Sequence, residues 1–244
     1  MYLAIAASML AVPVAFVLLL MGGDPRMLGD GAATVVLVSL YTIMATPLLA
    51  SRFGKTPSER LDRMLTIWMW ASGITHLTWE LSWCFANVWL DTHYGPLVAG
   101  GLTPEAVEAI YAQCQNDPIG WIWATYGAAD GRYLNSDSFI VPMEWVTAVI
   151  GGPMTGYALW LTAKKHLRKA AAWILIVSVM ELYGTVLYYT TEVFNDFQFV
   201  DTSSFYNLWV RFIGLNSIWV VFPSLSIYGC YRFLTRPQSP SSAS

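Results

Sequence analysis

Residues 65–90 read LTIWMWASGITHLTWELSWCFANVWL. A helix needs about 20 predominantly apolar residues to cross the roughly 30 Å hydrocarbon core of a bilayer, and this run is that long. It also lacks the strict alternation of a half-buried strand. Its anomaly is ITHLTWEL at 74–81, where His76 and Glu80 stand four residues apart among apolar neighbours. Neither group adds to the apolar driving force, because each must be desolvated or find a partner. An ionisable residue inside a membrane span is a functional candidate by default.

The rest of the chain repeats the pattern. Of 244 residues, 56% are hydrophobic, 15% aromatic and only 12% charged, against about a quarter charged in soluble domains. Six apolar segments of spanning length are expected near 2–21, 31–50, 65–90, 138–163, 170–194 and 205–233. Leu, Met, Ala and Trp without alternation favour helices over the strands of an outer-membrane barrel. The fold class expected is all-α, a multi-pass transmembrane helix bundle. The first segment, MYLAIAASMLAVPVAFVLLLMGG, has no basic n-region and too long an apolar run for a cleaved signal, so it is expected to be a retained span.

The net charge of −3 says less than where the charges sit. Arg52, Lys55, Arg60 and Arg63 lie between spans two and three, Lys164, Lys165, Arg168 and Lys169 between four and five, and Arg232 and Arg236 at the end of six. Simple alternation puts all three clusters on one side, which the positive-inside rule makes cytoplasmic together with both termini. The connection 91–137, acidic apart from Arg132, becomes a lumenal or extracytoplasmic cap. Within it LTPEAVEAIYAQC offers Thr103 as a cap and Pro104 at a first helical position, and a short helix is expected. Cys84, Cys114 and Cys230 show no metal spacing and are expected as unpaired thiols. The segment 234–244, ending RPQSPSSAS, is expected to be a disordered polar tail.

The candidate spans also hold Glu144, Glu181, Glu192 and Arg211, with Asn216 and Trp219 in the last. At 1.5 Å per residue, Glu80 on an outward-running span and Glu144 on an inward-running one come to similar depths. Asn216 and Trp219, three apart on one face, arrive near mid-membrane. Bland readings stand beside these: a His–Glu i, i+4 pair can be purely structural, Arg211 and Glu192 read as a structural ion pair near the lumenal surface, and Trp219 alone as packing or an interface anchor. No metal is expected, since His93 and His166 fall in loops on opposite sides and no Glu-x-x-His pairs occur. There is no phosphate loop, no serine nucleophile elbow and no basic stripe for nucleic acid. Proton chemistry on an apolar ligand remains. A desolvated carboxylic acid can donate a proton and a neighbour accept one, while a carbocation needs dryness, negative charge or an aromatic face.

Four blocks then resemble a known family: GITHLTWELSW at 73–83, DGRYLNSDSFIVPMEWVTAVIGGP at 130–153, ELYGTVLYYTTE at 181–192 and FYNLWVRFIGLNSIWVVFP at 205–223. In order and spacing they resemble the emopamil-binding protein family, the sterol ring-B double-bond isomerases and relatives that share the EXPERA domain. The resemblance implies a five-helix EXPERA-like core over 31–233, with 1–30 as an additional span and loop. It also implies an endoplasmic-reticulum enzyme, if the source is eukaryotic, that needs no cofactor and shifts a C=C bond by protonation and deprotonation. Carried over by position, His76, Glu80 and Glu144 are the implied acid–base residues, with Thr147, Asn216 and Trp219 around the substrate. Glu181 and Tyr183 stand where the sterol isomerases carry a Q-x-Y-G motif; Glu181 replaces the amide and adds an ionisable group to the pocket. Three readings follow. They are an isomerase of a sterol or related polycyclic terpenoid, a biosynthetic terpenoid isomerase or cyclase acting on an alkene or epoxide, and a non-catalytic sterol-binding or trafficking module. The partners expected are the apolar substrate and membrane lipids, not nucleic acid, with a homodimer left open.

Overall fold

A computed structural model describes residues 45–114, 117 and 120–236. The first expected span, the second as far as residue 44 and the polar tail from 237 lie outside the described residues; 45–51 are helical, and the tail expected from 234 begins two residues later because the last helix runs to Thr235. The described chain is all-helical; single long helices cover the expected spans at 170–194 and 205–233, whereas 65–90 and 138–163 are each made of two helices joined by a π turn.

Helix α1, Pro57–Thr75, starts where Thr56 accepts the Glu59 N–H at 3.2 Å and Pro57 takes a first-turn position. Such a cap satisfies an amide that the helix leaves unpaired. α1 runs through a wide π turn, His76–Glu80, directly into α2, Leu81–Val98. The cap contains the expected helix α3, Pro104–Cys114, with the Ala106 N–H on Thr103 Oγ1 at 3.2 Å, and a second, α4, Gly120–Gly127, that the sequence did not announce. A 3-10 turn, Gly131–Tyr133, leads to α5, Ile140–Val146, whose first amides are taken by Asp137 Oδ1 at 2.8–2.9 Å. A second π turn, Thr147–Gly151, joins α5 to α6, Gly152–Ala163. α7, Leu167–Phe194, returns, and a π segment, Tyr206–Leu215, precedes α8, Ile218–Thr235.

Among the described residues two helical stretches, Leu167–Phe194 and Tyr206–Thr235, are long and apolar enough to cross a membrane by length and composition. α7 shows how the bundle is solvated. Ile176, Val179, Tyr183, Val186 and Val193 form one outward stripe, all about half exposed or more. Ser178, Glu181, Thr185, Tyr188 and Glu192 form the opposite, buried stripe. A helix with its polar face inward and its apolar face outward suits a lipid solvent, in which polar groups must find partners within the protein. All three cysteines are buried free thiols, as expected.

The cap is tied to α7 through a buried charge network that corrects one expectation. Arg132, 1% exposed, donates to Asp130 Oδ1 and Oδ2 at 2.9 and 2.7 Å, to Thr191 Oγ1 at 2.8 Å and to the Tyr188 carbonyl at 3.2 Å. Its Nε also lies 3.2 Å from Glu192 Oε1. Arg211, the partner read from the sequence for Glu192, instead donates to the Tyr111 hydroxyl, the Thr125 carbonyl and Asn207 Oδ1. Nearness to one membrane surface did not fix azimuth: Arg211 faces α3 and α4, whereas Glu192 faces Arg132. Backbone bonds finish the seam, with the Gly131 N–H on the Phe199 carbonyl at 2.7 Å and the Leu102 N–H on the Gln198 carbonyl at 2.8 Å.

Removing one member of a buried charge group leaves the others uncompensated, typically at a cost of about 3–5 kcal/mol. An Arg132→Leu variant, with Asp130 and Glu192 left unpaired, is therefore expected to lose stability on that scale. Chemical unfolding in detergent checks it, and a change under about 1 kcal/mol would show that the network does not hold the cap.

Candidate active site

The two shorter π turns face each other. A Cβ added to Gly152 would sit 2.7 Å from Leu77 Cδ2 and 3.4 Å from His76 Cβ, and one on Gly151 would sit 3.8 Å from His76 Cδ2. The Gly-Gly-Pro at 151–153 is thus a packing surface that lets α6 approach the His76 turn, not a loop. π turns inside α-helices are often found at functional sites because they reset the phase of the side chains that follow.

His76, 1% exposed, is held at both ring nitrogens. Nδ1 lies 2.6 Å from Glu80 Oε2 and Nε2 lies 3.2 Å from Glu181 Oε1. Glu181 Oε1 also accepts the hydroxyl of Ser72, one turn before His76 on α1. The imidazole stacks on Trp219 with ring centroids 5.2 Å apart and planes 29° apart. Across the site, Glu144 Oε1 accepts the Tyr133 hydroxyl at 2.6 Å. The second carboxyl oxygens of Glu144 and Glu181 are both buried with no protein partner. Such an oxygen is expensive in an apolar interior unless something else fills it.

A cavity of about 70 Å³ lies between them. His76, Glu80, Glu144, Thr147, Glu181, Asn216 and Trp219 all line it, so the structure brings these sequence candidates from the two shorter π turns, α5, α7 and the start of α8 to one place. Thr147 spends its hydroxyl on the Met143 and Glu144 carbonyls, and Asn216 donates to the Phe212 carbonyl at 2.7 Å and the Tyr188 hydroxyl at 3.3 Å. Tyr183 is not brought there; it is 65% exposed on the outward stripe of α7. At 100° per residue it points about 200° away from Glu181. The tyrosine that does line the cavity, with Tyr133, Thr185 and Met143, is Tyr188, seven residues on and back in phase with Glu181. The helical period alone could have chosen Tyr188 over Tyr183. Nothing local in the sequence placed Tyr133, which comes from the cap. Among the described residues no three His, Cys, Asp or Glu side chains converge as metal ligands.

Residues 118–230 match the family model described as EXPERA (EXPanded EBP superfamily). The chain is 30% identical to the 3-beta-hydroxysteroid-Delta(8),Delta(7)-isomerase of Rattus norvegicus over 211 residues, covering 84% of this chain and 81% of that protein. The chain belongs to the EXPERA superfamily. A plant relative, the protoglabretal synthase of Ailanthus altissima, is 27% identical over 206 residues, covering 83% and 79% of the two chains. The Isomeliandiol synthase of Melia azedarach is 25% identical over 80% of each.

Two tyrosine changes test the assembled site against the outward stripe. Tyr133→Phe leaves Glu144 with both oxygens unpartnered in the interior and is expected to cost about 1–3 kcal/mol. Tyr183→Phe, at an exposed position, should stay within about 0.5 kcal/mol. Parallel unfolding curves check both, and equal losses would mean that Tyr133 does not hold Glu144.

Proposed function

We propose that the protein is a cofactor-free membrane isomerase that moves a C=C bond within a sterol or related polycyclic terpenoid. The observation that carries this reading is the pair of carboxyl groups on one buried cavity, each fixed through one oxygen with the other left free. Protonating one alkene carbon places a cation on its neighbour, and loss of a proton from an adjacent carbon completes the shift. Proton transfer by positioned side chains contributes about 10²–10⁴-fold to a rate. The Glu80–His76–Glu181 chain forms one wall of the acid–base site and Glu144, oriented by Tyr133, the other. Trp219 and the carboxylates stabilise the cation between the two transfers. The cavity of about 70 Å³ takes the reacting carbons, and a whole polycycle seats by displacing flexible lining such as Met143.

The isomerase name of the rat relative supports a sterol substrate. The synthase names of the Ailanthus and Melia relatives, together with a third carboxyl at Glu181, support a biosynthetic terpenoid isomerase or cyclase as the second reading. Incubation with a Delta(8) 3-beta-hydroxysteroid in heavy water tests the first: a shifted double bond carrying one solvent deuterium is expected. Glu144→Gln and Glu80→Gln should each remain folded yet turn over at least about a hundredfold more slowly. Wild-type rates in both would remove the acid–base assignment, and ligand binding without deuterium uptake would leave a sterol-binding module.

We further propose six spans, an EXPERA-like domain over 31–233 and an additional first span, with both termini cytoplasmic in the endoplasmic reticulum. The inverted polarity of α7 and the three basic clusters support this topology. With the native cysteines replaced, a cysteine introduced in the exposed turn at Gly100 should react with an impermeant thiol reagent from the lumenal side. Labelling only from the cytoplasmic side would overturn it.

A further inference from the structure

Glu181 is tied down through one oxygen only. Its Oε1 accepts the Ser72 hydroxyl and faces His76 Nε2 at 3.2 Å, while the other ring nitrogen faces Glu80 Oε2 at 2.6 Å. A carboxylate oxygen only accepts, so an imidazole set between two of them donates from both nitrogens. Two donors on one oxygen favour the carboxylate form of Glu181, because hydrogen bonds to the charged form stabilise it. Its Oε2 is then a pure acceptor, buried, without a protein partner and part of a cavity-lining side chain. Buried acceptors are seldom left so. The four hydroxyls that line the cavity are all committed elsewhere: Tyr133 to Glu144, Thr147 to the Met143 and Glu144 carbonyls, Thr185 to the Glu181 carbonyl and Tyr188 to Asp130. The donor for Oε2 therefore comes with the ligand. Glu144 also has a free Oε2, but a single donor, Tyr133, on its Oε1, so its charge is not fixed in the same way.

We propose that Glu181 is a specificity-determining residue whose free carboxylate oxygen accepts a hydrogen bond from a hydroxyl that the substrate carries on a ring carbon beside the C=C bond. The substrate class is thus a polycycle oxygenated next to its reacting alkene. The assignment rests on the reading of a sterol or polycyclic terpenoid substrate and asks nothing of Glu181 in the proton transfers themselves. Nearness to the alkene follows from the cavity, since about 70 Å³ is shared by Glu181, Glu80 and Glu144 and a group that meets Oε2 lies close to whatever the other two face. A hydroxyl and a ketone at one carbon have nearly the same size, but the hydroxyl can donate and the ketone only accepts. A carboxylate oxygen selects the first and leaves the second unpaired against it. A site built to bond a substrate hydroxyl discriminates strongly because its buried polar atom is otherwise unsatisfied.

The test uses the full chain in detergent and measures affinity for steroids that cannot react. The probes are 3-beta-hydroxysteroids saturated at the Delta(8) position that bear either a further hydroxyl, in each epimer, or a ketone at one of the two methylene carbons flanking that position. The wild type is expected to bind the better hydroxyl epimer at least about tenfold more tightly than the ketone at the same carbon, as a hydrogen bond to a charged group provides. In Glu181→Gln the amide carbonyl stays under Ser72 and His76, so the amide nitrogen takes the place of Oε2 and can only donate. The hydroxyl-over-ketone ratio should then fall at least about tenfold. Ser72→Ala loses one tie on Oε1 without altering the cavity lining; it should narrow the ratio at least about threefold, and it carries the test if the Gln variant does not fold. Glu144→Gln should keep the wild-type ratio within about threefold. A wild type that binds hydroxyl and ketone equally at both carbons, or prefers the ketone, would overturn the assignment. So would a ratio that survives Glu181→Gln, or one that collapses in Glu144→Gln instead. A wild type that binds none of these steroids would overturn the steroid reading and this assignment with it, an outcome distinct from binding without preference.

Discussion

Every ionisable group taken into the bundle must be matched there, because neither lipid nor a dry interior supplies a partner. That constraint organises the molecule. Among the described residues, two assemblies gather carboxyl groups around a basic side chain: Asp130 and Glu192 around Arg132, and Glu181 and half-buried Glu80 around His76, with Glu144 bonded to Tyr133 nearby and buried Asp201 held apart by Asn207 and Ser203. The first assembly is closed around a permanent cation and secures the cap against α7. The second is built from groups that can exchange protons, and its two free oxygens lie where a cavity opens. One requirement therefore yields both a structural clamp and the candidate site, and the difference between them is whether the basic group at the centre is a permanent cation or an imidazole that can exchange its proton.

The helices were legible because their signals are local. Apolar length, and the Thr103 cap with the proline that follows it, are read within a few residues, and the structure puts α3, α7 and α8 where those signals fall; α1 starts earlier than the apolar run at 65 because the Thr56 cap and Pro57 begin it. The candidate site was legible wherever position along a helix settles depth and the i, i+3 or i, i+4 spacing settles azimuth. His76 with Glu80, Glu144 with Thr147 and Asn216 with Trp219 meet at the cavity for that reason. Tyr183 failed on azimuth, a fact already contained in its two-residue offset from Glu181. Contacts made across the cap were not legible, because no local periodicity connects Tyr133 to Glu144 or Arg132 to Glu192. The Arg211 pairing failed in the same way: two groups at one depth need not face one another.

Two of the π turns supply what an uninterrupted α-helix does not. α1 and α2 form a continuous rod, yet the rod must turn His76 toward Glu181 and still bury Trp83 and Tyr94 against the cap further along. A wide turn at His76–Glu80 changes the phase between those two demands, and the turn at Thr147–Gly151 does the same between Glu144 and the glycines packed on α1. Both interruptions sit at the level of the site. Each gives up regular helical hydrogen bonding locally in exchange for a side-chain direction that the chemistry requires.

The cap is joined to the cavity by hydrogen bonds as well as by packing. Asp130 Oδ2 accepts both Arg132 Nη2 at 2.7 Å and the Tyr188 hydroxyl at 2.6 Å, and the Tyr188 hydroxyl in turn accepts the Asn216 amide at 3.3 Å. Tyr188 and Asn216 both line the cavity, while Asp130 and Arg132 belong to the cap. Tyr133, adjacent to Arg132, carries the second connection, to Glu144. A carboxylate anchored by an arginine thus fixes a tyrosine on α7, and the next residue in the chain fixes the carboxyl group on α5. Displacing the cap would loosen both walls of the site together, through bonds rather than through the bundle as a whole. The geometry of the candidate site accordingly depends on a segment that contributes only Tyr133 to the cavity lining, and the burial of Asp130 and Arg132 is as much a condition of that geometry as the placement of Glu144 and Glu181.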